Sequence, residues 1–89
     1  MNLTFTRRTD GKYEATATVN ASFNLHLEFA RYVNTSVFQR TAGTEYAGVR
    51  GSNSQVMTYD NDFFVEVYPK DIKVVCEDNP QVAILTEAQ

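Results

Sequence analysis

The chain has 89 residues and a mass of 10.1 kDa, enough for one domain over 1–89 and too short for a second. Hydrophobic residues make up 43% and charged ones 21%, which excludes a disordered tail, and no apolar run approaches the ~20 residues of a membrane helix. A net charge of −3 and a pI near 4.9 exclude a general nucleic-acid binder, and the single cysteine, Cys76, excludes an internal disulfide framework.

Met1-Asn2-Leu3-Thr4-Phe5 has neither a basic head nor an apolar stretch, so no signal peptide is expected and the chain is placed in the cytoplasm as synthesised. From Tyr13 onward the dominant pattern has period two. Tyr13, Ala15, Ala17 and Val19 alternate with polar neighbours, and the same parity continues through Phe23, Leu25, Leu27 and Phe29. Successive strand side chains point to opposite faces, so the odd positions form a dry row and the even ones a wet row. A single strand of that length exceeds the usual ~10 residues, so a break is expected at Asn20-Ala21-Ser22. A three-residue hairpin loop there pairs Val19 with Phe23. A two-residue loop would instead set Ser22 among apolar neighbours.

Thr35 to Arg40 is β-branched and aromatic enough for a strand; Thr41-Ala42-Gly43-Thr44 supplies a turn, and Glu45 to Val49 returns as partner. Gly51-Ser52-Asn53-Ser54 is a loop by composition, and Val56 to Tyr59 a weak strand. Asp60-Asn61-Asp62 predicts a turn, followed by a strand with Phe63, Val65 and Val67 on one face, ended by Pro69. The last pair predicts a hairpin over Asp78-Asn79-Pro80. Its outgoing arm faces Ile72, Val74 and Cys76 inward, and its return arm either Val82, Ile84 and Thr86 or Ala83 and Leu85. Both arms are apolar on two sides near Val74-Val75 and Ile84-Leu85, as in strands covered from both directions. Six to eight short strands at even spacing predict an all-β fold: a small antiparallel sandwich of jelly-roll or Ig-like type, or a partly open barrel.

A domain of this size without a staple has a marginal core. Its five tyrosines and six phenylalanines either fill that core or complete themselves against another protomer. Charge is split along the chain: residues 1–50 hold six basic against four acidic side chains, and residues 51–89 two against seven. That +2 and −5 suit head-to-tail association, unless the strands interleave in space and cancel it.

No catalytic set emerges. His26 is the only histidine and falls on the wet face between Asn24 and Glu28. Ser22 and Cys76 lack a nucleophile elbow, and Cys76 shares parity with Ile72 and Val74, as a small buried hydrophobe would. One Cys and one His fifty residues apart make no zinc set, and Asp60-Asn61-Asp62 lacks the glycine and closing glutamate of a calcium loop. The four glycines form no phosphate cradle. The chain is therefore expected to be no enzyme and to carry no metal and no cofactor. Tyr46, Tyr59, Phe64 and Tyr68 are the candidate interaction residues. They could line a sugar platform, with Asp60, Asn61 and Asp62 as polar orienters, if the rings are exposed on a rigid face.

Three segments carry a resemblance: Phe23-Asn24-Leu25-His26-Leu27-Glu28-Phe29, then Val37-Phe38-Gln39-Arg40-Thr41-Ala42-Gly43-Thr44-Glu45-Tyr46, then Val67 to Cys76 with the closing hairpin. Their order resembles the small β-sandwich proteins of tailed phages and prophages that decorate heads or join virion parts. Where those often carry a tryptophan after the glycine turn, this chain has Tyr46. The resemblance implies a non-enzymatic virion component and transfers no functional residue. Together these readings predict a structural or assembly protein that forms a homo-oligomer or docks on a larger protein assembly, away from nucleic acid and membrane. A carbohydrate- or ligand-binding sandwich is the alternative.

Overall fold

Eight strands follow one another along the chain: β1 (Thr6–Arg7), β2 (Tyr13–Val19), β3 (Phe23–Phe29), β4 (Val33–Gln39), β5 (Glu45–Arg50), β6 (Met57–Phe63), β7 (Lys70–Cys76) and β8 (Val82–Glu87). The computed structural model describes residues 1–39, 45–50 and 57–88. The strands form two antiparallel sheets, one in the order β1-β2-β7-β4-β5 and the other β6-β3-β8.

The N-terminal segment serves both sheets. Asn2 bridges Ile84, and Leu3 and Met1 exchange backbone hydrogen bonds with Ala83 and Leu85 at 2.8–2.9 Å, before Thr6 and Arg7 pair with Glu14 and Tyr13 of β2. Counting residues 1–7 as the first strand, the chain pairs first with eighth, β2 with β7, β3 with β6 and β4 with β5. This is one long hairpin, folded about its middle and rolled so that β8 meets β3 and β7 meets β4. That path is a jelly roll. Between Arg8 and Lys12 the chain reverses on Gly11, whose φ of +85° lies where side chains other than glycine are strained.

The odd and even rows sort as the period requires. Phe23, Leu25, Leu27 and Phe29 of β3 are buried, as are Val19, Val33, Val37, Ile72, Val74, Cys76, Tyr59, Phe63 and Leu85. Phe23 and Phe63 stack with ring centroids 5.0 Å apart and planes 19° from parallel. Of the two inward sets open for β8, the structure adopts Ala83 and Leu85.

Four expectations are corrected. Asn20-Ala21-Ser22 does break the long run, but β2 and β3 lie in different sheets, so Val19 and Phe23 face across the core and are not paired. Likewise β7 and β8 form no hairpin, and the Asp78-Asn79-Pro80 connection crosses from one sheet to the other. Asp60-Asn61-Asp62 is no turn but lies within β6, where Asp60 and Asp62 point outward opposite His26 and Asn24. In turn, no strand runs from Phe63 to Val67: β6 ends at Phe63 and residues 64–69 form an irregular loop, in which Val65 and Tyr68 bond to Ser22 of loop 20–22. The return strand to β4 does pair with it, over Val33–Phe38 against Glu45–Arg50. The readings at 41–44 and 51–54, and Val56 itself, lie outside the described residues.

Interleaving also disperses the charge split. In the smaller sheet β3 of the first half lies between β6 and β8 of the second, in the larger one β7 lies between β2 and β4, and Arg31–Asp78 at 2.9 Å and Lys73–Glu14 at 3.6 Å join one half to the other.

Candidate functional site

One end of the sandwich is built by loops 20–22 and 64–69 together with the end of β8. The register sets it: Phe23 stands opposite both Phe63 and Glu87, so the two loops emerge side by side. Ser22 ties them together. Its carbonyl accepts from the Ala88 amide at 2.6 Å, and its Oγ accepts from the Val65 amide at 3.2 Å and lies 2.8 Å from the Tyr68 hydroxyl. Val65 is thereby anchored in the core, while its neighbours turn to water: Phe64 is 73% exposed, Val67 63% and Tyr68 38%. Beside Phe64 lies a groove of about 410 Å³ whose walls include Phe63, Asn24, Asp62, Thr86 and Glu87. Asn24 donates to the Asp62 carboxylate at 3.1 Å and to the Asn61 carbonyl at 3.2 Å, which fixes the polar wall.

The four candidate rings do not form one platform. Tyr59 is 1% exposed and packs in the core, because position 59 shares the inward parity of Phe63; its hydroxyl accepts from Asn61 at 3.1 Å. The side chain of Tyr46 lies outside the described residues, its backbone pairing with Val37 in β5. Only Phe64 and Tyr68 share the loop end. Val67 and the tethering Ser22 belong with them, and the cue for Val67 was in the sequence: an apolar residue two before Pro69, where a strand cannot continue.

The outer face of the smaller sheet carries the one cluster of titratable groups around a histidine. His26 lies between strands that present Asp60 and Asp62 on one side and Val82, Ile84 and Thr86 on the other. Its Nδ1 is 2.7 Å from Asp60 and its Nε2 2.9 Å from Glu28. Only an imidazolium donates from both nitrogens, and the bonds to Glu28 and then Asp60 hold the His26 pKa above its ordinary value against a smaller opposing effect of burial. A histidine bound at both nitrogens has no free lone pair to act as a base, so this group clamps β6 to β3. Cys76 is equally unsuited to attack. Burial pushes its thiol up to about 12, and Thr35 Oγ1 lies 3.8 Å from its sulfur in the same dry interior.

Asp60, Asn61 and Asp62 alternate across β6, with the two carboxylates outward and Asn61 turned toward the Tyr59 hydroxyl, so their oxygens diverge. Among the described residues no group of three or more His, Cys, Asp or Glu side chains is placed to hold a metal ion, and no helix is long and apolar enough to cross a membrane. At the far end, Arg31 pairs with Asp78, Asn34 bonds to Glu77, and Tyr32 is exposed with its hydroxyl on Asn34.

The fold and site thus define a small all-β jelly-roll sandwich with an apolar loop end. A scan against protein-family models and searches of curated proteins and solved structures return no match.

Proposed function

We propose that this chain is a non-enzymatic structural module that associates with copies of itself or docks on a larger protein assembly, of the kind found in phage and prophage virions. The observation that carries the reading is the loop end, where Phe64, Val67 and Tyr68 stand in water on a scaffold pinned by Ser22. Single exposed apolar side chains are ordinary, but three within five residues on one fixed loop are a patch. Covering Phe64 and Val67 in an interface removes enough apolar surface for about 1.5–3 kcal/mol each. The jelly-roll path, shared by viral capsid subunits, supports the virion assignment by analogy of fold alone. The occupied His26 and the inert Cys76 support a role without catalysis.

A second reading rests on the groove beside Phe64. An exposed ring next to Asn24, Asp62, Thr86 and Glu87 offers a stacking face and convergent hydrogen-bonding groups, as saccharide sites do. Light scattering on size-exclusion fractions, compared between the wild type and Phe64→Ser/Val67→Ser, tests the first reading. Association that the double variant weakens is expected; a monomer at every concentration, with no partner retained by the wild type alone, overturns it. A glycan array with Phe64→Ala and Tyr68→Ala as controls decides the second, which needs a signal that both variants lose.

A further inference from the structure

We infer that β2 is a self-pairing edge, through which two copies of this chain join antiparallel about Ala17 and continue the larger sheet from one protomer into the next. This rests on the assembly reading above and adds a second surface to the loop end.

Only the first two residues of β2, Tyr13 and Glu14, have a partner in β1. Ala15 to Val19 pair with β7 on one side and, among the described residues, with no strand on the other. Open space borders this edge. A groove of about 410 Å³ separates Glu14–Ala17 from residues 1–6, and another of about 400 Å³ borders Thr16, Ala17 and Thr18. Soluble sheets protect open edges with charged side chains, proline or bulges. Of the other edges, residues 1–3 cover β8, β6 carries Asp60 and Asp62, and the short β1 carries Arg7. Ala15-Thr16-Ala17-Thr18-Val19 has no charge, no proline and no glycine.

The segment is also self-complementary. With Ala17 opposite Ala17 of the second copy, Thr16 meets Thr18, Ala15 meets Val19, and no charges oppose each other. Thr16 and Thr18 are exposed; Thr18 Oγ1 donates to Asp71 at 2.8 Å within its own copy, which leaves its oxygen to accept from Thr16 of the other, a hydroxyl pair of the sort that favours antiparallel neighbours. The register ends where each copy's own β1 begins, so neither copy must give up an existing pair. A two-fold axis through Ala17 closes the contact as a dimer. Five paired residues form a small interface, so dissociation in the micromolar range or weaker is expected from this contact alone.

The test is sedimentation velocity over a concentration series on three proteins: the wild type, T16K/T18K and T16E/T18K. In the first variant a lysine faces a lysine across the axis. In the second a glutamate faces a lysine, and each introduced charge also lies beside its opposite, Lys73 or Asp71, in the same copy. The wild type should dimerise, T16K/T18K should weaken the dimer at least tenfold, and T16E/T18K should keep it. If T16K/T18K fails to fold, loss or retention of the dimer in T16E/T18E, scored against T16E/T18K, reads the same contact. Equal dimerisation of the like-charged and opposite-charged variants overturns the edge. If the dimer instead falls only with Phe64→Ser/Val67→Ser, the edge is refuted while the assembly reading stands; a wild type that is monomeric throughout refutes the edge outright.

Discussion

Raising the pH from 6 to 8.5 should destabilise this protein, through His26. Its two ring nitrogens donate to Asp60 at 2.7 Å and Glu28 at 2.9 Å, and these bonds raise its pKa in the folded state above the ordinary 6.5 of the unfolded chain. The folded state therefore holds the proton more tightly. The stabilisation is complete below pH 6.5 and disappears as the pH climbs through the raised value. With 28% of the side chain exposed, each ion pair is screened and contributes about 0.2–1 kcal/mol, so the pair together contributes about 1 kcal/mol. In a domain of this size 1 kcal/mol corresponds to about 4–8 °C in melting temperature. Urea or thermal unfolding at half-unit pH steps measures it, with His26→Gln as the reference. His26 is the only histidine, so the variant should lose the fall between pH 6 and 8.5 and keep every other contribution. Parallel curves for the two proteins, or a wild type that grows more stable with rising pH, would show that β6 is not clamped in this way.

Two further outcomes follow from the same structure. Leu25→Ala, at a fully buried position of β3, should cost about 2–5 kcal/mol, whereas Asn24→Ala, one residue away on the outer face, should cost about 1 kcal/mol or less; similar costs in denaturant unfolding would contradict the alternation. The Cys76 thiol, buried and pushed up to about 12, should resist a thiol reagent at pH 8 until the protein is unfolded, and prompt labelling of the native state would place it elsewhere.

Much of the candidate site was hidden from pattern reading, for identifiable reasons. Tyr59 and Tyr68 look alike in the sequence, yet one is core and the other surface. Asp60 and Asp62 suggested a turn that would have broken the parity before Tyr59 met Phe63; the strand in fact runs through them, because on an edge strand outward carboxylates cost nothing and His26 and Asn24 receive them. In the sequence Ser22 reads as an unwelcome hydroxyl or as a nucleophile without an elbow, but its role is to tether loop 64–69, a contact across more than forty residues. No local signal announces such a contact.

Alternation of side-chain character was legible throughout, since it depends only on the two-residue repeat of an extended backbone and the gain from drying one face. It told which residues of β2, β3 and β7 are dry. It could not tell whether two dry rows lie side by side in one sheet or across the core in two, because both arrangements bury the same side chains and the hydrogen bonds that distinguish them come from backbone groups common to every residue. That choice, which sends β2 and β3 into opposite sheets, separates β7 from β8 and, among the described residues, leaves Ala15 to Val19 paired with β7 alone, was made by the rolling of the whole chain.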